Sequence, residues 1–317
     1  MGGPSRAELE AAQVWEGVDR VPGAEMTAFR RTLRLRQAHW REAQGLPIGS
    51  QSVPAARGGG ERPIGSRIDH DHAVATGANF LTPAAHDAVR HRIAHKEPWQ
   101  TLNTRRLWGD LLSSMPLCFN LFGPAWADLA LADDLVHDLW PDTPGRVAEV
   151  RFEHSPGRGD PAYLGNRSAF DVAFLLDLGG GRRGIVGVET KYHEWAKPEV
   201  PRPDNAERYR EVTERSGAFV DDIPARIGED DRALVQVWLD HLLLLSMLQH
   251  PSAGWDWGRF VILHPAGNVS FDDAIARYRA LLVDDATFDR RTLEQVVASP
   301  DLRRSVADPF AARYLDG

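Results

Sequence analysis

The segment AFDVAFLLDLGGGRRGIVGVETKYH, residues 169–193, holds two apolar, β-rich runs around Gly179-Gly180-Gly181-Arg182-Arg183. Two such runs joined by a short glycine-rich link are the signal of a β-hairpin. Side chains alternate along a strand, so Glu189 and Lys191 project to one face of the second run. A reversal centred near Gly180 pairs residues whose numbers sum to about 360, which sets Asp171 opposite Glu189. A shift of one pair sets it opposite Lys191. Either register predicts Asp171, Glu189 and Lys191 on one face, within about 5–8 Å of one another.

Two adjacent carboxylates on strands otherwise built from Val, Ala, Phe, Leu and Ile need a reason to be there. They repel, and burying them is costly unless a cation is present. A hard divalent cation takes carboxylate oxygens and a backbone carbonyl, so Asp171, Glu189 and the Thr190 carbonyl are the expected metal ligands. Lys191 stands where it can orient an attacking water or offset developing negative charge. Only three of the 37 basic residues are lysine (Lys96, Lys191 and Lys197), so a lysine in this pattern is a strong signal. The competing reading is a cross-strand Asp–Lys ion pair with Glu189 at a solvated edge. The apolar neighbours argue against such an edge.

Outward from the hairpin the period of the sequence changes. Residues 147–154 (VAEVRFEH) alternate as a strand, and 259–264 (RFVILH) form another, ended by Pro265. Helices are predicted at 26–44, at 82–95 with Thr82 as cap and Pro83 at its first position, at 107–114, at 125–140, at 232–249 and at 271–283 capped by Ser270. Residues 45–67, rich in Gly, Pro and Ser, read as a loop. From residue 125 onward the order is α-β-β-β-α-β-α.

This pattern resembles the PD-(D/E)XK nuclease superfamily, and within it an uncharacterised bacterial nuclease-like family. The resemblance rests on Phe170-Asp171, on Glu189-Thr190-Lys191, and on CFNLFGP at 118–124, RFEHSP at 151–156, AFDVAF at 169–174 and VETKYHE at 188–194. Phe170 stands where the motif's name has proline. The resemblance implies an α/β, restriction-endonuclease-like fold. Its α-β-β-β-α-β core would have a mixed central sheet flanked by helices. The core is expected over 111–317, and a helical N-terminal extension over 1–110. It also implies a hydrolase: a Mg²⁺-dependent nuclease, with Mn²⁺ as a possible substitute, cutting phosphodiester bonds in nucleic acid, DNA above all. Asp171, Glu189 and Lys191 carry over as the catalytic set. An upstream superfamily acid falls at Glu153 or Glu149, with Glu153 nearer the strand end. Gln236 stands where some members place a glutamine near the site, and Glu194 is at most a helper. The alternative is a catalytically inactive member of the fold that binds nucleic acid or a partner.

Composition sets the outer limits. Cys118 is the only cysteine, which excludes an internal disulfide and a Cys-based zinc site. No apolar run reaches the roughly 18–20 residues of a membrane span. The start MGGPSRAELE has no apolar secretion core, so a cytoplasmic location is expected. The net charge of −8 argues against bulk polyanion binding, yet residues 27–67 hold eight arginines (Arg30, Arg31, Arg34, Arg36, Arg41, Arg57, Arg62 and Arg67) against two glutamates. That segment is the expected grip on a phosphate backbone. Two further motifs look metal-like. Asp69-His70-Asp71-His72 reads as a solvated turn, because consecutive side chains diverge. His91 and His95, one helical turn apart, read as a solvated helix face, because no third ligand accompanies them.

Overall fold

A computed structural model describes residues 3–315 apart from 18, 20, 54, 56, 57 and 303. Arg57 of the arginine-rich segment therefore lies outside the described residues. The N-terminal region contributes α1 (Arg6–Ala11), α2 (Ala24–Ala43), β1 (Ile48–Ser52), β2 (Glu61–Ile68), α3 (His70–Thr76), α4 (Pro83–Ala94) and α5 (Thr104–Gly109). Then come α6 (Ser114–Ala127), α7 (Leu129–Leu139), β3 (Arg146–His154), β4 (Phe170–Asp177) and β5 (Arg183–Thr190). The chain continues through α8 (Ala206–Ser216), the short α9 (Ile223–Ala225), α10 (Val235–Leu248), β6 (Trp255–His264), α11 (Val269–Arg279), β7 (Phe288–Thr292), α12 (Leu293–Val297) and α13 (Arg304–Tyr314).

The central sheet runs β3-β4-β5-β6-β7. The β3–β4 and β4–β5 pairs are antiparallel, and β5–β6 and β6–β7 are parallel. The sheet is therefore mixed, as expected. Its hairpin turns at Gly179, Gly180 and Gly181, all at positive φ, a region closed to most other residues. The β4–β5 register sums to 360, from Asp177↔Arg183 to Val172↔Val188.

Alternation sorts the apolar side chains into two layers. Val172, Phe174, Val186 and Val188 pack against α6 and α7 on one face. Ala173, Ile185, Phe260 and Ile262 pack against α10 and α11 on the other. A parallel sheet buried on both faces needs near-continuous apolar strands, and β6 supplies one in FVIL, residues 260–263. Leu33 of α2, Ala73 of α3 and Val89 of α4 belong to the same apolar cluster as Val172 and Val188.

Several local expectations differ from the structure. Residues 45–67 contain the antiparallel β1–β2 pair rather than only a loop. Its strands mix Gly, Ser and charged residues with few apolar ones, so periodicity left no trace. The helix expected at 107–114 is instead α5, and Ser114 opens α6, whose first turn holds Pro116, where a missing amide costs nothing. Pro124 falls inside α6, and the true break is Asp128, whose carboxylate accepts from the Ala130 and Leu131 amides to start α7. The cap of α11 is Asn268, not Ser270. The edge strand β7, reading FDRRT, carries too little apolar pattern to be seen in the sequence. Among the described residues no helix is long and apolar enough to cross a membrane.

Candidate active site

The ends of β3, β4 and β5 meet at one edge of the sheet, beside the N-terminal half of α10. Glu189 is the penultimate residue of β5, and its side chain is 12% exposed. Its Oε1 accepts from Lys191 Nζ at 2.6 Å and from Gln236 Nε2 at 3.0 Å. Gln236 lies in the first turn of α10, so this bond places Glu189 and Lys191 on the α10 side of the sheet.

Asp171 is held differently. Its Oδ2 accepts from the Thr190 amide at 2.8 Å and from the Thr190 hydroxyl at 2.5 Å. Regular alternation fails at this end of β4: Phe170 and Ala173, three residues apart, both pack on the α10 side. The Phe170 ring lies over Gly187, which has no side chain to block it. Strand parity therefore does not place Asp171; the bonds to Thr190 do. Asp171 still reaches its partners electrostatically, since its charge pushes Glu189 upward and stabilises Lys191.

Glu153 enters from β3 at a left-handed backbone position, φ 53°, uncommon for a residue with a Cβ. Arg158 donates to its backbone carbonyl. Burial, then the charges of Asp171 and Glu189, push the Glu153 carboxyl up to about 8. Glu149 is exposed and forks onto Arg151 at 2.6 and 2.7 Å. Of the two upstream acids, Glu153 is the one that joins the cluster.

The electrostatics are those of crowded acids. Burial and then Asp171 raise Glu189 to about 7. Burial also raises Asp171, against the opposing Thr190 hydrogen bonds. Burial alone would favour a neutral Lys191, but Glu189 and Asp240 outweigh it and hold the ammonium charged. Glu194 stands to one side, where its Oε2 accepts from the Tyr192 amide and its Oε1 from Ser114.

Asp240 is the residue that sequence reasoning missed. It lies one helical turn beyond Gln236, is 7% exposed, and its Oδ2 is buried with no hydrogen-bond partner. The available signal was a lone carboxylate inside the apolar run of residues 235–248.

Asp171, Glu189 and Asp240 all stabilise the one ammonium of Lys191, and Glu153 lies close enough to Asp171 and Glu189 to feel both charges. That surplus of shielded negative charge and its all-oxygen donor set suit a hard divalent cation. As they stand, the side chains are not a finished cage: among the described residues no group of three His, Cys, Asp or Glu is placed to hold a metal ion. The reason is visible in the bonds. Thr190 occupies Asp171 Oδ2, and Lys191 with Gln236 occupies Glu189 Oε1.

The other candidates fall elsewhere. Asp69 caps α3 by accepting from the His72 amide. His91 and His95 stack on each other at 4.2 Å. Cys118 is buried, and that burial raises its thiol pKa well above the usual range.

The arginine-rich segment is mostly turned inward, against expectation. Arg31 and Arg34 pair with Asp19, Arg41 donates to the Gly65 and Leu46 carbonyls, Arg36 to the Tyr314 carbonyl, and Arg67 pairs with Asp110. Among its described arginines only Arg62 is exposed. The physical reason is that α2 packs on both sides, so its polar residues meet protein instead of water.

The order and pairing of the strands, the Asp171/Glu189–Thr190–Lys191 arrangement at their ends and the helix that follows agree with a match of the superfamily's family model to residues 24–316. No curated protein and no solved structure matches the chain. With nearly its whole length covered by that match, the chain belongs to the PD-(D/E)XK nuclease superfamily.

Proposed function

We propose that the protein is a Mg²⁺-dependent nuclease that hydrolyses phosphodiester bonds in DNA, with Mn²⁺ able to replace Mg²⁺. The observation that carries this reading is the pairing of Asp171 and Glu189 with a single ammonium, Lys191, at the strand ends, with Glu153 close enough to feel both carboxylates. Asp171, Glu189 and the Thr190 carbonyl would hold the cation, which supplies Lewis acidity toward a phosphoryl oxygen. The chain's own residues do the rest. Lys191 orients the attacking water and offsets charge that develops on the phosphate. Gln236 fixes the Glu189 carboxylate through its amide. Glu153, held near neutrality by burial and then by Asp171 and Glu189, is suited to carry a proton at the same strand ends.

Substrate contact would come from the Glu153 side. Trp99 is 61% exposed at φ 60°, and its ring faces Gly159. Arg158, next to Gly159, donates to the Glu153 carbonyl. An exposed ring with Arg167 beside it at 5.9 Å offers a base-stacking platform.

The test is nicking of supercoiled plasmid with Mg²⁺, Mn²⁺ or EDTA, beside metal titration by calorimetry. Lys191→Ala should abolish cutting and leave metal binding largely intact, because an ammonium is no ligand. Asp171→Ala should remove both. If wild type binds no divalent cation and cuts no DNA, the chain is instead a non-catalytic binding member of the fold.

A further inference from the structure

One oxygen of Glu189 holds both of its partners. Its Oε1 now accepts from both Lys191 and Gln236, so turning the carboxylate toward a cation withdraws the acceptor that holds Lys191. Lys191 Nζ has three N–H groups and, among the described residues, this one hydrogen bond. It is 7% exposed, so water is a poor substitute, and the face of the Phe271 ring lies 5.8 Å away. Asp240 has the complementary deficit. It is equally buried, and its Oδ2 has no hydrogen-bond partner among the described residues. It stands four residues after Gln236, on the same face of α10, which already bonds Glu189. An unsatisfied buried carboxylate oxygen is costly, and natural proteins keep few without a purpose.

We propose that Asp240 is a second acceptor for the Lys191 ammonium, a positioning residue that holds it at the reacting phosphate once Glu189 has turned to a divalent cation. Charge supports the assignment: Asp240 is among the groups that stabilise the Lys191 cation, and Lys191 in turn lowers the Asp240 carboxyl against burial and Glu189, which raise it. The consequence for cleavage rests on the nuclease reading above, but the contact itself can be tested without metal or DNA.

The chain has three lysines, so ¹⁵N-lysine labelling gives a simple spectrum in which Lys191→Arg assigns one ammonium signal. Ammonium protons held by buried carboxylates exchange slowly. Glu189→Met removes one acceptor and keeps the volume filled. In that variant the slow signal should persist, now through Asp240. In Asp240→Asn it should persist through Glu189, and in the double variant exchange should quicken at least tenfold. Loss of the signal in Glu189→Met alone, with the fold intact by circular dichroism, would overturn the proposal, as would its survival in the double variant. If Glu189→Met does not fold, kinetics decide. Asp240→Asn should lower kcat for plasmid nicking by about 10–100-fold, leave Mg²⁺ affinity within twofold, and be partly rescued by Asp240→Glu. Wild-type kcat in Asp240→Asn sinks the inference. A wild type that never cuts sinks the nuclease reading instead and leaves the exchange measurement to decide the contact.

Discussion

Glu153 shows how a single side chain carries the electrostatic stress of the site. Its carboxyl, ordinarily near 4.5, is pushed up to about 8 by burial and by Asp171 and Glu189. The folded protein therefore keeps a proton that the unfolded chain releases above its ordinary value. Below that value both states are protonated and stability is complete. As pH rises toward about 8 the unfolded state is favoured progressively, and beyond it the loss is full. Glu153→Gln should flatten this fall, with its largest gain in Tm at about pH 8 to 9. Some slope should remain, because Glu189 is raised as well. Thermal melts of metal-free protein across this range, for wild type and variant, give the answer. Identical slopes would mean that Glu153 holds no extra proton. The three acids and Lys191 were legible as residues, because charge on an apolar strand is conspicuous. Asp240 was not, because a carboxylate within one helix says nothing about which strand end it will face.

At the scale of the element, β4 and β5 depend on a small residue at one crossing. A Cβ at Gly187 would come within 2.7–2.8 Å of the Phe170 ring, and Phe170 is fully buried and cannot swing aside. That ring is adjacent in sequence to Asp171. Gly187→Ala should destabilise the protein by about 1–3 kcal/mol and displace Asp171 from Thr190. Cleavage should fall further than the loss of folded protein explains. Urea titration beside nicking rates at fixed folded fraction separates the two effects, and activity that tracks the folded fraction alone would show that Asp171 had not moved. The hairpin and its register were readable, since the Gly-Gly-Gly turn and two apolar runs constrain each other. The lapse in alternation at Phe170 was not, because it follows from the ring finding space over a glycine on the neighbouring strand.

Across the whole molecule, α2 joins the N-terminal region to the core by polar bonds that look like a binding patch in one dimension. Arg34 is 2% exposed and pairs with Asp19, whose carboxyl is held below its usual range by Arg34 and Arg31 despite its burial. Breaking one member of a buried pair strands the other. Arg34→Gln should therefore cost about 3 kcal/mol and leave the salt dependence of DNA binding unchanged. Melting and binding over a salt series check this; a log–log slope lower by about 0.9 with an unchanged Tm would return Arg34 to the phosphate backbone. The C-terminal helix closes the same seam, with Arg313 donating to the Asn79 carbonyl and side-chain oxygen and lying against the Trp40 ring at 4.1 Å. By itself the sequence determined the strands of the hairpin, the apolar α10 and the Asp171, Glu189–Thr190–Lys191 motif, since periodicity and the cost of isolated charge act along a few residues of chain. Only the tertiary structure decided which arginines face inward, that β7 completes the sheet edge, and that Glu153, Gln236 and Asp240 gather at one strand end. Those outcomes depend on packing between segments tens of residues apart, where burial and the choice of hydrogen-bond partner are set by neighbours that no local pattern records.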